Sequence, residues 1–209
     1  ILNPEIDDYK IARVPSKYNK SFNLNNTFGE GNIKMYLTCE SEVVKNFPFE
    51  ENRKIFPYKD YAYIKKRFFS HPVYKYDVYV VESDAYGISN IIICRVVSNG
   101  KGFAYRIVDF YGNEELLKYI TQQLYKIMIS NQYEYIDFLC SGLDKLKIKE
   151  SGFCNLDFNQ KHLIVPNYFE PFIRKNIAIY SVHDKVNNFR FIQCKADGDQ
   201  DRPNLLQTN

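Results

Sequence analysis

The sequence predicts a mixed α/β (α+β) domain with a largely antiparallel central sheet flanked by helices. Three observations carry this. Two β-rich runs, Ile88 to Val97 and Phe103 to Phe110, flank Asn99-Gly100, a dipeptide suited to the positive φ of a hairpin turn. An amphipathic pattern follows, with Leu116, Leu117, Ile120, Leu124, Ile127 and Met128 at helical spacing behind Asn113, whose side chain suits an N-cap. Further β-rich runs then recur from Tyr133 to Lys195.

Taken in order, residues 1–58 form an irregular N-terminal segment. Lys10 to Val14 reads as a short strand, the Asn-rich stretch from Asn19 to Asn26 with Gly29 and Gly31 as loop, and Ile33 to Thr38 as a strand. Ser41 to Phe47 reads as a short helix capped by Ser41 and stopped before Pro48. Residues 59–195 form the core. Lys59 to Phe69 reads as a helix with Tyr61, Ile64, Phe68 and Phe69 on one side, ended by Pro72. Tyr76 to Glu82 is a strand, and Asp84 to Gly87 a turn. Ile88 to Val97 is continuous and β-branched, as a strand buried on both faces requires. Tyr133 to Cys140 is another strand, and Ser141-Gly142 opens a short helix ending at Gly152. Strands are expected at Asn155 to Asn159, His162 to Val165, Ile177 to His183 and Phe189 to Lys195. Residues 196–209 form a polar tail.

Composition excludes several classes. The formal net charge of +3 is spread through interspersed acids and bases, which argues against a nucleic-acid partner, since such a partner requires a basic stripe. The nearest candidate, Lys65-Lys66-Arg67, reads as a solvated helix face. No apolar run reaches the length of a membrane span. Abundant Tyr and Phe accompany abundant Ile, Lys and Asn, a composition typical of AT-rich genomes, so they do not by themselves mark a stacking surface. Cys39, Cys94, Cys140, Cys154 and Cys194 show neither a CxxC pair nor short metal-ligand spacing. Cys94 and Cys140 sit in or beside apolar runs, so free thiols and a cytoplasmic location are expected. There is no signal peptide, and the chain opens on Ile1 rather than Met, as a fragment or trimmed chain does.

From residue 59 to 195 the order is helix, strand, two-stranded hairpin, long helix, strand, short helix and strands. This resembles the GNAT acyltransferase family, and Ile33 to Thr38 supplies its first strand. The tail Cys194-Lys195-Ala196-Asp197-Gly198-Asp199-Gln200-Asp201-Arg202-Pro203-Asn204 resembles those of GNAT-like proteins from bacterial surface-polysaccharide gene clusters. The resemblance implies acyl transfer from acetyl-CoA or another acyl-CoA to an amino or hydroxyl group of a sugar or sugar nucleotide. It places the donor beside Val108, Phe110, Gly112 and Asn113, with the pyrophosphate on helix-start N–H groups. The family's signature there is Arg/Gln-x-x-Gly-x-Gly/Ala. Arg106 and Gly112 answer to it at a different spacing, and Glu114 and Glu115 occupy the first helical turn. The other reading of the resemblance is a non-catalytic GNAT-fold binding domain, one half of a tandem protein.

Asp137, on an apolar strand, is the first catalytic candidate, because a carboxylate there is costly unless paired or working as a base. Asp109 stands in the same double position. His71, at a helix exit, is either held by the helix dipole or a general base near the acceptor. Asp197, Asp199, Asp201 and Arg202 are the candidate sugar contacts. Asp197-Gly198-Asp199-Gln200-Asp201 imitates a calcium loop, but Arg202 and Thr208 stand where Gly and Glu are needed, so no metal is expected. Cys140-Ser141-Gly142 has no histidine nearby to activate a nucleophile.

Overall fold

The computed structural model describes residues 1–18, 20, 22, 33–84, 87–159, 161–167, 173–182 and 188–198. In chain order the elements are β1 (Ile33–Thr38), α1 (Ser41–Val44), a 3-10 turn (Phe49–Asn52), β2 (Ile55–Phe56), α2 (Tyr61–Ile64, continuing as a π-helical turn, Lys65–Phe69), β3 (Asp77–Ser83), β4 (Gly87–Ser98) and β5 (Phe103–Gly112). A 3-10 turn (Glu114–Leu116) then leads into α3 (Leu117–Ser130), followed by β6 (Ile136–Phe138), β7 (Cys140–Ser141), α4 (Lys145–Glu150), β8 (Arg190–Phe191), β9 (Gln193–Cys194) and a last 3-10 turn (Lys195–Asp197). The central sheet has five strands in the order β1-β3-β4-β5-β6. All its pairings are antiparallel except β5 with β6. This is the expected fold class, a largely antiparallel mixed sheet flanked by helices.

The side-chain alternation of β4 explains its unbroken apolar run. Ile91 and Ile93 point to one face, with Val78, Val80 and Val108, and pack against Val44, Phe47, Ile64 and Phe68 from the α1–α2 side. Ile92 and Cys94 point to the other, with Tyr105 and Ile107, against Leu117, Ile120, Leu124 and Met128 of α3. A strand covered on both sides needs apolar residues at every position, and each fully buried Ile or Val contributes roughly 1.5–3 kcal/mol. The β4–β5 connection is a four-residue loop, because Asn99 Oδ1 accepts from Lys101 and Gly102 N–H at 3.0 Å each and Gly100 takes φ +82°.

Residues 1–14 are fastened to the rest by Glu134. Its carboxylate accepts backbone N–H bonds from Lys10, Ile11 and Ala12 at 2.6–3.0 Å, and Leu2 bridges Tyr135. Leu2, Tyr9, Ile11 and Ala12 join Val97, Tyr135 and Leu163 in a third apolar cluster.

Several expectations change. Lys10 to Val14 makes one isolated bridge, Arg13 with Ile164, rather than a strand. Ser41 is the first residue of α1, and no side chain caps it. α2 starts two residues after Lys59, where Asp60 accepts the Tyr63 N–H at 2.8 Å. Tyr133 to Cys140 is broken into β6, which pairs with β5, and β7, which pairs with β9, and the backbone ahead of β6 is shared between β5 and residues 1–3. The helix after Gly142 begins at Lys145, capped by Asp144. Asn155 to Asn159, His162 to Val165 and the described part of Ile177 to His183 are not strands; His183 lies outside the described residues. Side chains take part of what a ladder would have used: Val165 N–H goes to Asn176 Oδ1 at 2.9 Å and Ile177 N–H to Asn167 Oδ1 at 3.1 Å. Phe189 to Lys195 is reduced to two short strands, β8 parallel to β2 and β9 antiparallel to β7.

Candidate functional site

β5 and β6 pair only from Tyr105 to Ile107 against Ile136 to Phe138, after which β5 runs on to Gly112. A bulge lies where they part. Ile93 pairs with Asp109 and Cys94 with Ile107, leaving Val108 as the extra residue. The extra residue resets the alternation, so Val108 joins the α1–α2 core while Phe110 joins the α3 core. Asp109, between them, meets Lys59 at the approach to α2.

Lys59 Nζ donates to both oxygens of Asp109 at 2.8 Å and to Asp197 at 2.8 Å. Tyr111 hydroxyl donates to Asp109 Oδ2 at 2.5 Å, and Asp197 Oδ2 accepts the Cys194 N–H at 2.8 Å. The ammonium also lies over the rings of Tyr111 and Tyr63, 5.3 and 5.9 Å from their centroids. Side-chain exposure is 7% for Lys59, 0% for Asp109 and 10% for Asp197. One buried cation thus faces two carboxylates. Burial works to lower the Lys59 pKa, but Asp109 and Asp197 outweigh it and raise it above the ordinary lysine value. Burial raises Asp109, with Asp197 adding and Lys59 opposing. Burial, with Asp109 adding, raises Tyr63 to about 12. The surplus negative charge can therefore take up a proton at Asp109.

The turn from β5 to α3 is rigidly built. Gly112 takes φ +101°, and a Cβ there would stand 2.0 Å from Ser89 carbonyl oxygen. Fully buried Asn90 donates through Nδ2 to the carbonyls of Tyr111 and Asn113 at 3.1 and 2.9 Å. Asn113 caps the turn as expected, its Oδ1 accepting the Glu115 N–H at 2.9 Å. Both glutamates point to neighbouring elements. Glu114 accepts from Asp144 N–H at 2.6 Å and pairs with Arg190 at 2.5 Å, while Glu115 pairs with Lys147 at 2.6 Å.

Asp137 lies opposite Arg106 in the β5–β6 register and accepts from its Nε at 2.9 Å. His71 is elsewhere. Its Nδ1 accepts the N–H groups of Val73 and Tyr74 at 3.2 and 2.8 Å, and its ring stacks on Tyr74. The described contacts do not bring His71 and Asp137 together. Of the tail candidates, Asp197 is turned inward onto Lys59, and Asp199, Asp201 and Arg202 lie outside the described residues.

The positions expected to meet an acyl-CoA donor are engaged within the chain. The opening beyond the β5–β6 pairing is occupied by the chain itself: Ile192 and Cys194 belong to the buried cluster of Tyr105, Ile107 and Phe110, and Asp197 closes onto Lys59. At the helix start the Glu115 and Leu116 N–H groups are spent on Asn113, where a diphosphate would need free donors.

No family model matches the chain, and no curated protein matches it. Among solved structures it is similar to the crystal structure of aminoglycoside antibiotic 6'-N-acetyltransferase AAC(6')-Ih from Acinetobacter baumannii. That likeness has 9% sequence identity and a TM-score of 0.41, over 73% of this chain and 99% of that chain.

Sequence reasoning missed Lys59, Asn90 and Arg190. Lys59 and Asp109 are 50 positions apart, Lys59 and Asp197 are 138 apart, and no local pattern joins them. The available signal was Asp109 itself, a lone carboxylate between Val108 and Phe110 that had to find a cation.

Proposed function

We propose that the chain is a recognition domain on a GNAT-type scaffold, binding a small ligand without using acyl-CoA. The observation that carries this reading is the burial of Ile192 and Cys194 across β5, with Asp197 closed onto Lys59, where the scaffold would otherwise admit a donor. The closure is part of the hydrophobic core and is tied by a buried ion pair. Scaffold alone confers no chemistry, since function resides in the site. Titration calorimetry with millimolar acetyl-CoA tests it: the recognition reading expects no binding heat, and saturable binding overturns it.

A second reading is favoured by the bulge at Val108 and by the buried carboxylate of Asp109 at the point where the strands part. It is an acyltransferase, with acyl-CoA as donor and a sugar or sugar nucleotide of a surface polysaccharide as acceptor. Asp137 or His71 would be its base, Val108, Phe110, Gly112 and Asn113 its donor contacts, and Asp197, Asp199, Asp201 and Arg202 its acceptor contacts. It requires residues 192–197 to leave β5. Asp197→Ala loosens that segment, so this reading expects tighter acetyl-CoA binding in the variant, and the recognition reading expects none in either protein.

A further inference from the structure

A second space lies on the far edge of β6, away from the Lys59 cluster. It is a cavity of about 540 Å³ between the β6–β7 edge, residues 152–158 after α4, and residues 163–167. Its walls are mainly apolar, with Phe138, Leu143 and Phe153 on one side and Leu163 and Val165 on the other. The size and lining are those of a small-molecule site, for which volumes run from about 300 to 1,000 Å³ with a few placed polar groups.

The far wall is fixed before any ligand arrives. Pro166 carbonyl accepts from Arg106 Nη2 at 2.7 Å and from Tyr135 hydroxyl at 3.1 Å, both buried donors. Asn167 carbonyl accepts from Lys195 Nζ at 2.8 Å, and the Asn167 side chain exchanges two bonds with Ile177 at 2.8 and 3.1 Å. A wall held in this way costs little further ordering on binding.

The lining also carries polar side chains, Lys20, Ser141, Lys145 and Asn155 among them, and the carboxylate on it is that of Asp137. Asp137 borders the cavity with its side chain 16% exposed. Its Oδ2 is taken by Arg106 at 2.9 Å, while its Oδ1 accepts no hydrogen bond from the described residues. Arg106 compensates the charge, so the site offers a fixed, charge-balanced acceptor rather than a bare anion.

We infer that this cavity binds an apolar ring- or chain-bearing small molecule through one hydroxyl, which donates to Asp137 Oδ1 while its apolar body fills the space beside Phe138, Phe153 and Leu163. The assignment deepens the recognition reading by giving it a place and a ligand class. Its test uses no acyl-CoA, so the two can fail separately.

The probes are 2-naphthol and 2-methoxynaphthalene, which share a ring system and differ in the donor. Ligand-observed NMR titration of the chain should show 2-naphthol binding at least tenfold more tightly. In Asp137→Asn the amide oxygen stays on Arg106 and an NH₂ donor faces the cavity, so the preference should vanish or invert. Leu163→Trp fills the space and should abolish binding of both probes, with folding checked by circular dichroism. If wild-type protein binds neither probe, or binds both equally, the inference fails, and that comparison needs no variant to fold. Unchanged 2-naphthol affinity in folded Asp137→Asn or folded Leu163→Trp overturns it as well.

Discussion

Replacing Lys59 by Met would leave Asp109 and Asp197 facing each other in the interior with no cation between them. Breaking a buried ion pair by removing one partner costs about 3–5 kcal/mol, because the remaining charge is uncompensated. At this chain size that corresponds to a fall in Tm of roughly 6–20 °C. The pH dependence identifies the cause. Burial already raises the folded-state pKa of Asp109, and the loss of Lys59 raises it further. A carboxylate whose folded pKa is raised is stabilising when protonated, and that contribution is lost as pH rises through the folded value. The stability deficit of Lys59→Met relative to wild type should therefore shrink when denaturant unfolding is repeated at pH 5 instead of pH 7. A deficit that is constant or larger at pH 5 would show that lost packing, and not unpaired charge, sets the cost. Wild type has its own signature at the alkaline end. Lys59 is raised in the fold, so its contribution is complete below the ordinary lysine pKa and is lost as pH climbs through the higher folded value. The phenol of Tyr63, pushed up to about 12, also loses stability in that window, because the unfolded phenol ionises first. The lysine part of the alkaline slope should disappear in Lys59→Met, while the tyrosine part remains.

At the scale of elements, the β5–α3 turn depends on Asn90 in the neighbouring strand. Asn90→Ala leaves two buried carbonyls without their donor and should cost about 1–3 kcal/mol. Asn90→Asp should cost more, because it points a carboxylate at those same carbonyls. Urea midpoints in the order wild type, Ala, Asp would confirm this, and equal midpoints for Ala and Asp would refute it. The turn also shows what the sequence could disclose. Asn113, Gly112 and the α3 stripe were readable, because capping and helical periodicity are local. β4 and β5 were readable for the same reason, through a β-branched run and Asn99-Gly100. The strands read at Asn155 to Asn159, His162 to Val165 and, over its described residues, Ile177 to His183 were misread, because β-propensity describes a residue that fits a strand and does not supply the partner that makes one. In the fold, the side chains of Asn167 and Asn176 hold that backbone instead. The site divides the same way. Asp109 and Asp137 could be flagged as carboxylates in apolar strands. Their partners Lys59 and Arg106 emerge only when β5 lies beside α2 and β6, and that pairing is set by the whole sheet.

Across the whole molecule, the two glutamates of the α3 turn hold elements to one another. On sequence grounds they oppose a diphosphate by charge, so on the acyltransferase reading replacing both with Gln should tighten acetyl-CoA binding. The fold gives them other work. Glu114 joins α3 to Arg190 and to the start of α4, and Glu115 joins it to Lys147. Arg190 in turn donates to Gly142 carbonyl at 2.8 Å, so β8 and the β7–α4 turn are held to one another through this residue. Glu114→Gln/Glu115→Gln therefore removes ties between elements rather than a gate. The Glu115 N–H remains on Asn113, and Ile192 and Cys194 remain packed against β5. The double variant should lose about 0.5–2 kcal/mol, as the pairs are exposed or half-buried and solvent screens them. That loss should diminish in high salt, where exposed charge pairs are weakened in the parent too. It should gain no affinity for acetyl-CoA by calorimetry at low ionic strength, where any relief of charge repulsion would be largest. Binding by the double variant, with none by the parent, would mean that charge alone had closed the donor site, and would return the chain to the acyltransferase reading.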